Sequence, residues 1–234
     1  MSKYGRRLNE ALPAVRERVQ EAALRSGRSP EDVRVVAVTK GHPQAAVEAA
    51  IEAGLDDLGE NRLGELEEKA ARVEAGSVRW HMIGHLQRRR APAVRALASL
   101  VHSIDSLRLA ERLERSAAAD EPRLPVLVQV NVSGERSKSG FAPGELIDTL
   151  ERIMRFNTLS VEGLMTMAPL TSDRKDLRRT FAGLRDLREE AIERVPGFRG
   201  RELSMGMSND FELAVEEGST IVRLGSILFG ERLQ

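Results

Sequence analysis

The residue with the clearest chemical potential is Lys40, which ends the apolar run Val33-Arg34-Val35-Val36-Ala37-Val38-Thr39. Lysine is scarce here, at positions 3, 40, 69, 138 and 175 only, among 36 basic side chains. An amine held among apolar neighbours has its charged form disfavoured and becomes a better nucleophile toward a carbonyl, as a Schiff-base lysine requires. From position alone, a lysine that simply meets solvent where a strand ends is the favoured reading. Two later segments bear on the choice. Ser204-Met205-Gly206-Met207-Ser208 lets the backbone approach a ligand closely at Gly206 and offers two hydroxyls, and Arg223-Leu224-Gly225-Ser226 opens a final helix. Such loops suit a phosphate, with backbone N–H groups aimed at the anion, although each could also be a simple turn. Arg223 would point into such a site if Gly225 does, as a hydrogen-bond donor to a ligand. An ion pair with an acidic neighbour is its other reading.

The elements that must position these groups alternate regularly. A helix is expected over residues 3–27, from Leu8, Leu12, Val15, Val19, Ala22 and Ala23 at helical spacing with Gly27 after them. Eight β-branched apolar runs follow, at 33–39, 55–59, 78–84, 100–104, 124–132, 159–167, 202–207 and 220–224. Between them lie helical patterns at 44–53, 63–74, 91–97, 107–118, 144–156, 177–195 and 211–217, with a short last helix from about Ile227. Strands alternating with helices imply parallel βαβ units. Eight units without a linker predict a single-domain (β/α)8 TIM barrel over 1–234 with an additional N-terminal helix, an open doubly wound sheet being the alternative. The unusual residues fall at the C-terminal strand ends, where a barrel gathers its chemistry.

Composition narrows the function. With 36 basic and 36 acidic side chains the net charge is zero, which argues against nucleic acid and anionic membranes as partners. The chain has no cysteine, no signal-like leader and no long apolar window, so a cytoplasmic location is expected. His42, His81, His85 and His102 sit near strand ends but form no recognisable metal set; His85 reads as a pocket-lining or helix-capping residue. Arg88-Arg89-Arg90 reads as a solvated run at a helix start, and Met165, Met167, Met205 and Met207 as filler at a pocket floor.

At this point the residues carry a resemblance. The blocks are Val36-Ala37-Val38-Thr39-Lys40, Gly59-Glu60-Asn61, Trp80-His81-Met82-Ile83-Gly84-His85-Leu86-Gln87, Val130-Asn131-Val132-Ser133 through Lys138-Ser139-Gly140, and Gly163-Leu164-Met165. Leu203-Ser204-Met205-Gly206-Met207-Ser208 and Arg223-Leu224-Gly225-Ser226 complete them. In this order the sequence resembles the pyridoxal phosphate homeostasis proteins, themselves similar to the N-terminal barrel of alanine racemase. The resemblance implies that pyridoxal 5′-phosphate is the cofactor and that Lys40 forms the Schiff base. It implies that Ser208, Gly225 and Ser226 hold the phosphate, that Arg223 faces the pyridine nitrogen, and that Asn61, Met207 and Ser204 line the pocket. A Ser-Asn-Lys ending often found in the family is Arg88-Arg89-Arg90 here, which removes any role for a lysine at 90.

The expected function is therefore carriage of the cofactor by a monomer that contacts cofactor-dependent enzymes transiently. A racemase or decarboxylase is the alternative, and a class I aldolase-type barrel a more distant one. A two-base racemase needs a second acid/base group, a tyrosine from another domain in alanine racemase; this chain has only Tyr4, with no residues after 234 for such a domain. Lys138 reads as a solvated loop lysine, and the sequence leaves open whether it or Lys69 is a second binding position.

Overall fold

Strands buried on both faces read as continuous apolar runs instead of alternating ones, and this chain has eight. The computed structural model describes residues 2–231, so the ends of the expected domain, residues 1 and 232–234, lie outside the described residues. Its strands are β1 (Arg34–Val38), β2 (Asp57–Glu60), β3 (Arg79–Met82), β4 (Leu100–Ile104), β5 (Leu124–Gln129), β6 (Leu159–Met165), β7 (Glu202–Met207) and β8 (Ile221–Leu224). They form a closed barrel in sequence order. Closure is made by parallel pairing of β1 with β8, from Arg34 opposite Ile221 to Ala37 opposite Leu224. The open-sheet alternative is thereby excluded.

The outer ring is α2 (Gln44–Glu52), α3 (Leu63–Ala70), α4 (Ala91–Leu97), α5 (Leu107–Glu114), α6 (Leu146–Ile153), α7 (Arg174–Arg194), α8 (Phe211–Glu216) and α9 (Ser226–Phe229). Helix α1 (Lys3–Arg25) buries Leu8, Leu12, Val15, Val19, Ala22 and Ala23, the stripe expected of it, and packs on α2, α8 and α9. It completes the ring where α9 has only four residues. Arg18 binds Glu212 through two hydrogen bonds of 3.0 Å. Among the described residues, no helix is long and apolar enough to cross a membrane.

The apolar core has two unequal parts. The large one lies between strands and helices; the small one fills the barrel with Val36, Val38, Leu100, Leu127, Met165 and Ile221, against Ile83 and Met167. The strands expected over 124–132 and 159–167 stop at Gln129 and Met165. Beyond them the chain stays close without regular pairing. Val130 forms an isolated bridge to Phe141, and the Thr166 hydroxyl donates to the Val130 carbonyl at 2.8 Å.

Candidate functional site

A cavity of about 960 Å³ opens at the C-terminal ends of the strands. Its first wall is the end of β1. Lys40 borders the cavity, and the backbone on either side of it is clamped from α3. Lys69 donates to the Thr39 carbonyl at 2.8 Å, and the Gly41 N–H donates to Glu65 at 2.7 Å. Lys69 and Glu65 lie four residues apart, hence on one face of α3. Lys69 also binds Glu60 Oε1 at 2.6 Å, and the Thr39 hydroxyl donates to the same oxygen at 2.5 Å. Glu60 is wholly buried, its Oε2 has no hydrogen-bond partner among the described residues, and burial pushes its carboxyl up against the opposing pull of Lys69.

The second wall joins β7 to β8. Gly206 has φ +95°, and a Cβ there would lie 2.6 Å from the Ala214 Cβ, so α8 packs only on a glycine. Beyond it, the Met207 N–H donates to Asp210 Oδ1 at 2.6 Å. Ser208 Oγ accepts from the N–H groups of Gly225 (3.3 Å) and Ile227 (3.4 Å), which stitches the two loops together. A Cβ on Gly225 would meet the Val38 carbonyl oxygen at 3.3 Å, so this edge lies directly against β1.

Beneath the cavity the barrel interior is polar. Arg223 Nη1 donates to Ser204 Oγ at 2.5 Å and Nη2 to the Thr166 carbonyl at 3.0 Å. Ser204 Oγ lies 2.8 Å from His102 Nδ1, His102 Nε2 lies 2.8 Å from His81 Nδ1, and His81 Nε2 lies 2.8 Å from Asp57 Oδ1. Complete burial holds His102 well below the ordinary imidazole range, helped by the charge of Arg223. Burial pushes Asp57 up, but hydrogen bonds from His81 and Arg79 outweigh it and hold its carboxyl below the usual carboxylate range. Burial lowers Arg223 to about 10. Among the described residues it has no carboxylate within ion-pairing distance, so the ion-pair reading of this arginine does not hold. Asp210 is the acidic group whose field reaches it.

Seven of the eight residues singled out in the sequence border the cavity: Lys40, Asn61, Met207, Ser208, Arg223, Gly225 and Ser226. Ser204 does not. Strand alternation turns it into the barrel under Arg223, fully buried, so any effect it has on a ligand passes through that arginine. The methionines also divide by alternation. Met165 and Met167 fill the barrel, Met205 points outward into the helix layer, and Met207 is 37% exposed at the rim; they do not form one pocket floor. His85 pairs with Asp105 at 2.8 Å beside a smaller cavity and caps no helix. Lys138 is not a solvated loop lysine: its side chain is 15% exposed, borders the main cavity, and binds Glu135 at 3.1 Å and the Met167 carbonyl at 3.3 Å. Asp210 and Thr166 carry no motif in the sequence; only loop closure brings them to Arg223. No group of His, Asp and Glu that could hold a metal occurs among the described residues.

The alanine racemase N-terminal domain family model matches residues 11–233. The pyridoxal phosphate homeostasis protein of Pseudomonas aeruginosa is 41% identical over 223 residues, 95% of each chain. That of Homo sapiens is 41% identical over 236 residues, 95% of this chain and 86% of the other. PipY of Synechococcus elongatus PCC7942, solved with PLP bound, superposes with a TM-score of 0.80 at 36% identity, covering 92% of this chain and 100% of that one. By identity, coverage and fold together, the chain belongs to the pyridoxal phosphate homeostasis proteins, within the alanine racemase N-terminal domain family.

Proposed function

We propose that this chain holds pyridoxal 5′-phosphate reversibly on Lys40 and serves vitamin B6 homeostasis in the cytoplasm as a carrier and not as an enzyme. The observation that carries this reading is that Lys40, Arg223 and the Ser208–Gly225–Ser226 edge border one cavity. The names of the relatives, and PLP bound to PipY, support it.

The donor set fits the group. When bound, pyridoxal 5′-phosphate supplies an aldehyde that condenses reversibly with a primary amine. Lys40 offers the amine, on a turn whose backbone α3 holds from both sides. Ser208 Oγ already accepts two backbone N–H groups, so its own hydrogen is left to donate to a phosphate oxygen. Ser226 adds a second hydroxyl, and the glycine at 225 keeps the edge tight against β1. Among the described residues Arg223 is a buried charge without a carboxylate partner, which is costly unless a ligand acceptor meets it. Facing the ring nitrogen, it would keep that atom unprotonated and weaken the ring as an electron sink, which would disfavour racemase and decarboxylase chemistry. Asn61 and Met207, both exposed at the rim, border the opening through which an amine enters to release the cofactor. A cavity at the upper end of the drug-sized range has room for both molecules. One copy of the chain contains every group named, so the protein acts as a monomer, and its transfer partners are cofactor-dependent enzymes met transiently.

Borohydride reduction of the loaded protein followed by peptide mass mapping tests the reading. A pyridoxyl adduct on Lys40, absent from Lys40→Ala, is the expected result. A protein that cannot be loaded, or an adduct undiminished in Lys40→Ala, overturns it. Racemisation or decarboxylation of amino acids by the loaded protein at an ordinary enzymatic rate would replace carriage with catalysis.

A further inference from the structure

The interior of a (β/α)8 barrel is ordinarily packed with branched aliphatic side chains. Here a carboxylate, two imidazoles and a hydroxyl run through it in one line, from Asp57 at the start of β2 to Arg223 below the cavity. His81, His102 and Ser204 are each at most 1% exposed. Placing polar groups there costs free energy unless every one is satisfied, so the line needs a purpose that leucine and valine would not serve.

With both imidazoles neutral, a single polarity satisfies every group of the line. Arginine can only donate, so Ser204 Oγ accepts from Arg223. The hydroxyl hydrogen of Ser204 then goes to His102 Nδ1. Neutral His102 carries its proton on Nε2 and donates it to His81 Nδ1, and His81 donates from Nε2 to Asp57. Every hydrogen points away from the cavity, toward a carboxylate that can only accept. Arg79, which donates to both oxygens of Asp57, holds that end in place.

We propose that Asp57, His81, His102 and Ser204 are positioning residues: as one oriented hydrogen-bond line they fix the Arg223 guanidinium as a directed donor to the ring of the bound cofactor. The inference rests on the reading above, in which that ring lies against Arg223. With aliphatic filler in their place, Arg223 Nη1 would lose its acceptor and the guanidinium would be held by the Thr166 carbonyl alone.

The test uses the whole chain with 15N-labelled histidine, before and after loading with pyridoxal 5′-phosphate. Both buried histidines should give the pattern of neutral Nε2–H imidazole. Loading should move both sets of signals, although neither ring borders the cavity. Ser204→Ala interrupts the line next to Arg223. Loading should then leave the His102 and His81 signals in place, the absorbance band of the bound cofactor should shift in the direction that Arg223→Lys shifts it, and affinity should fall about fivefold for the lost hydrogen bond. Asp57→Asn acts from the far end: an amide can donate to His81 Nε2, which permits both imidazoles to turn over to Nδ1–H. Imidazole signals indifferent to loading, or tautomers unchanged in Asp57→Asn together with an unshifted band in Ser204→Ala, overturn the line. An unshifted band in Arg223→Lys with the cofactor still bound overturns instead the reading on which it rests.

Discussion

Strand β2 supplies two buried carboxylates that behave in opposite ways. Asp57, at its start, points into the barrel and is 4% exposed; Glu60, at its end, points out toward α3 and is 0% exposed. Burial penalises the charge on both, yet Asp57 is held below the usual carboxylate range and Glu60 is pushed above it. The difference lies in the accounting of lone pairs. Asp57 receives His81 and Arg79 on one oxygen and Arg79 again on the other. Glu60 receives Lys69 and Thr39 on one oxygen and, among the described residues, nothing on the other. Depth alone therefore does not set the proton affinity of a buried acid; the number and placement of its donors do. The two also serve different walls of the cavity, Asp57 through the line to Arg223 and Glu60 through the clamp on the Lys40 turn.

The contrast can be broken most sharply at Lys69. Lys69→Met leaves Glu60 buried with its counter-charge gone and should destabilise the protein by about 3–5 kcal/mol in urea unfolding; a loss under about 1 kcal/mol would mean that Lys69 does not compensate Glu60. Asp57→Asn should cost about 1–3 kcal/mol at neutral pH. Because the folded carboxyl sits below its unfolded value, its contribution is full above about pH 4 and is lost as the pH falls further. The gap between wild type and Asp57→Asn should therefore close on acidification, and curves that stay parallel down to about pH 2.5 would assign the acid sensitivity elsewhere. Thr39→Val takes one donor from the already short-handed Glu60 and should cost about 1 kcal/mol, read as a lowered melting temperature. Smallest of all, Glu60→Gln combined with Lys69→Met removes both charges together and should lie within about 1 kcal/mol of wild type, which a double-mutant cycle would measure.

The barrel was legible because parallel strands covered on both faces leave unbroken apolar runs, and eight recur here at helix-separated intervals. Strand ends were less so: 130–132 and 166–167 have strand-like residues whose partners are single bridges and side-chain contacts. At the site, Lys40, Ser208, Gly225 and Ser226 carry their own local signal, a lone lysine and glycine–serine turns. The line below the cavity does not. His81 and His102 each read as an ordinary strand-end residue, and the ladder sets His81 beside Leu100 instead of His102. Leu100 and His102 share one face of β4, so it is the diagonal between neighbouring strands that brings the two imidazoles together. The clamp on Lys40 was hidden for a related reason, since a Glu–Lys pair four apart looks like any solvated helix face until α3 is docked against β2.

Closure between β1 and β8, with α1 laid over α8, has a kinetic consequence. Arg18 meets Glu212 across 194 residues of chain, and Arg28 reaches the carbonyl of Ser219 across 191. During synthesis the first helix and the first strand emerge long before the residues that cover them. The faces they turn toward α8 and β8 stay open until those elements have been made. Contacts of such separation make the final closure a late, slow event and the waiting segments the part of the nascent chain most exposed to aggregation or to chaperones.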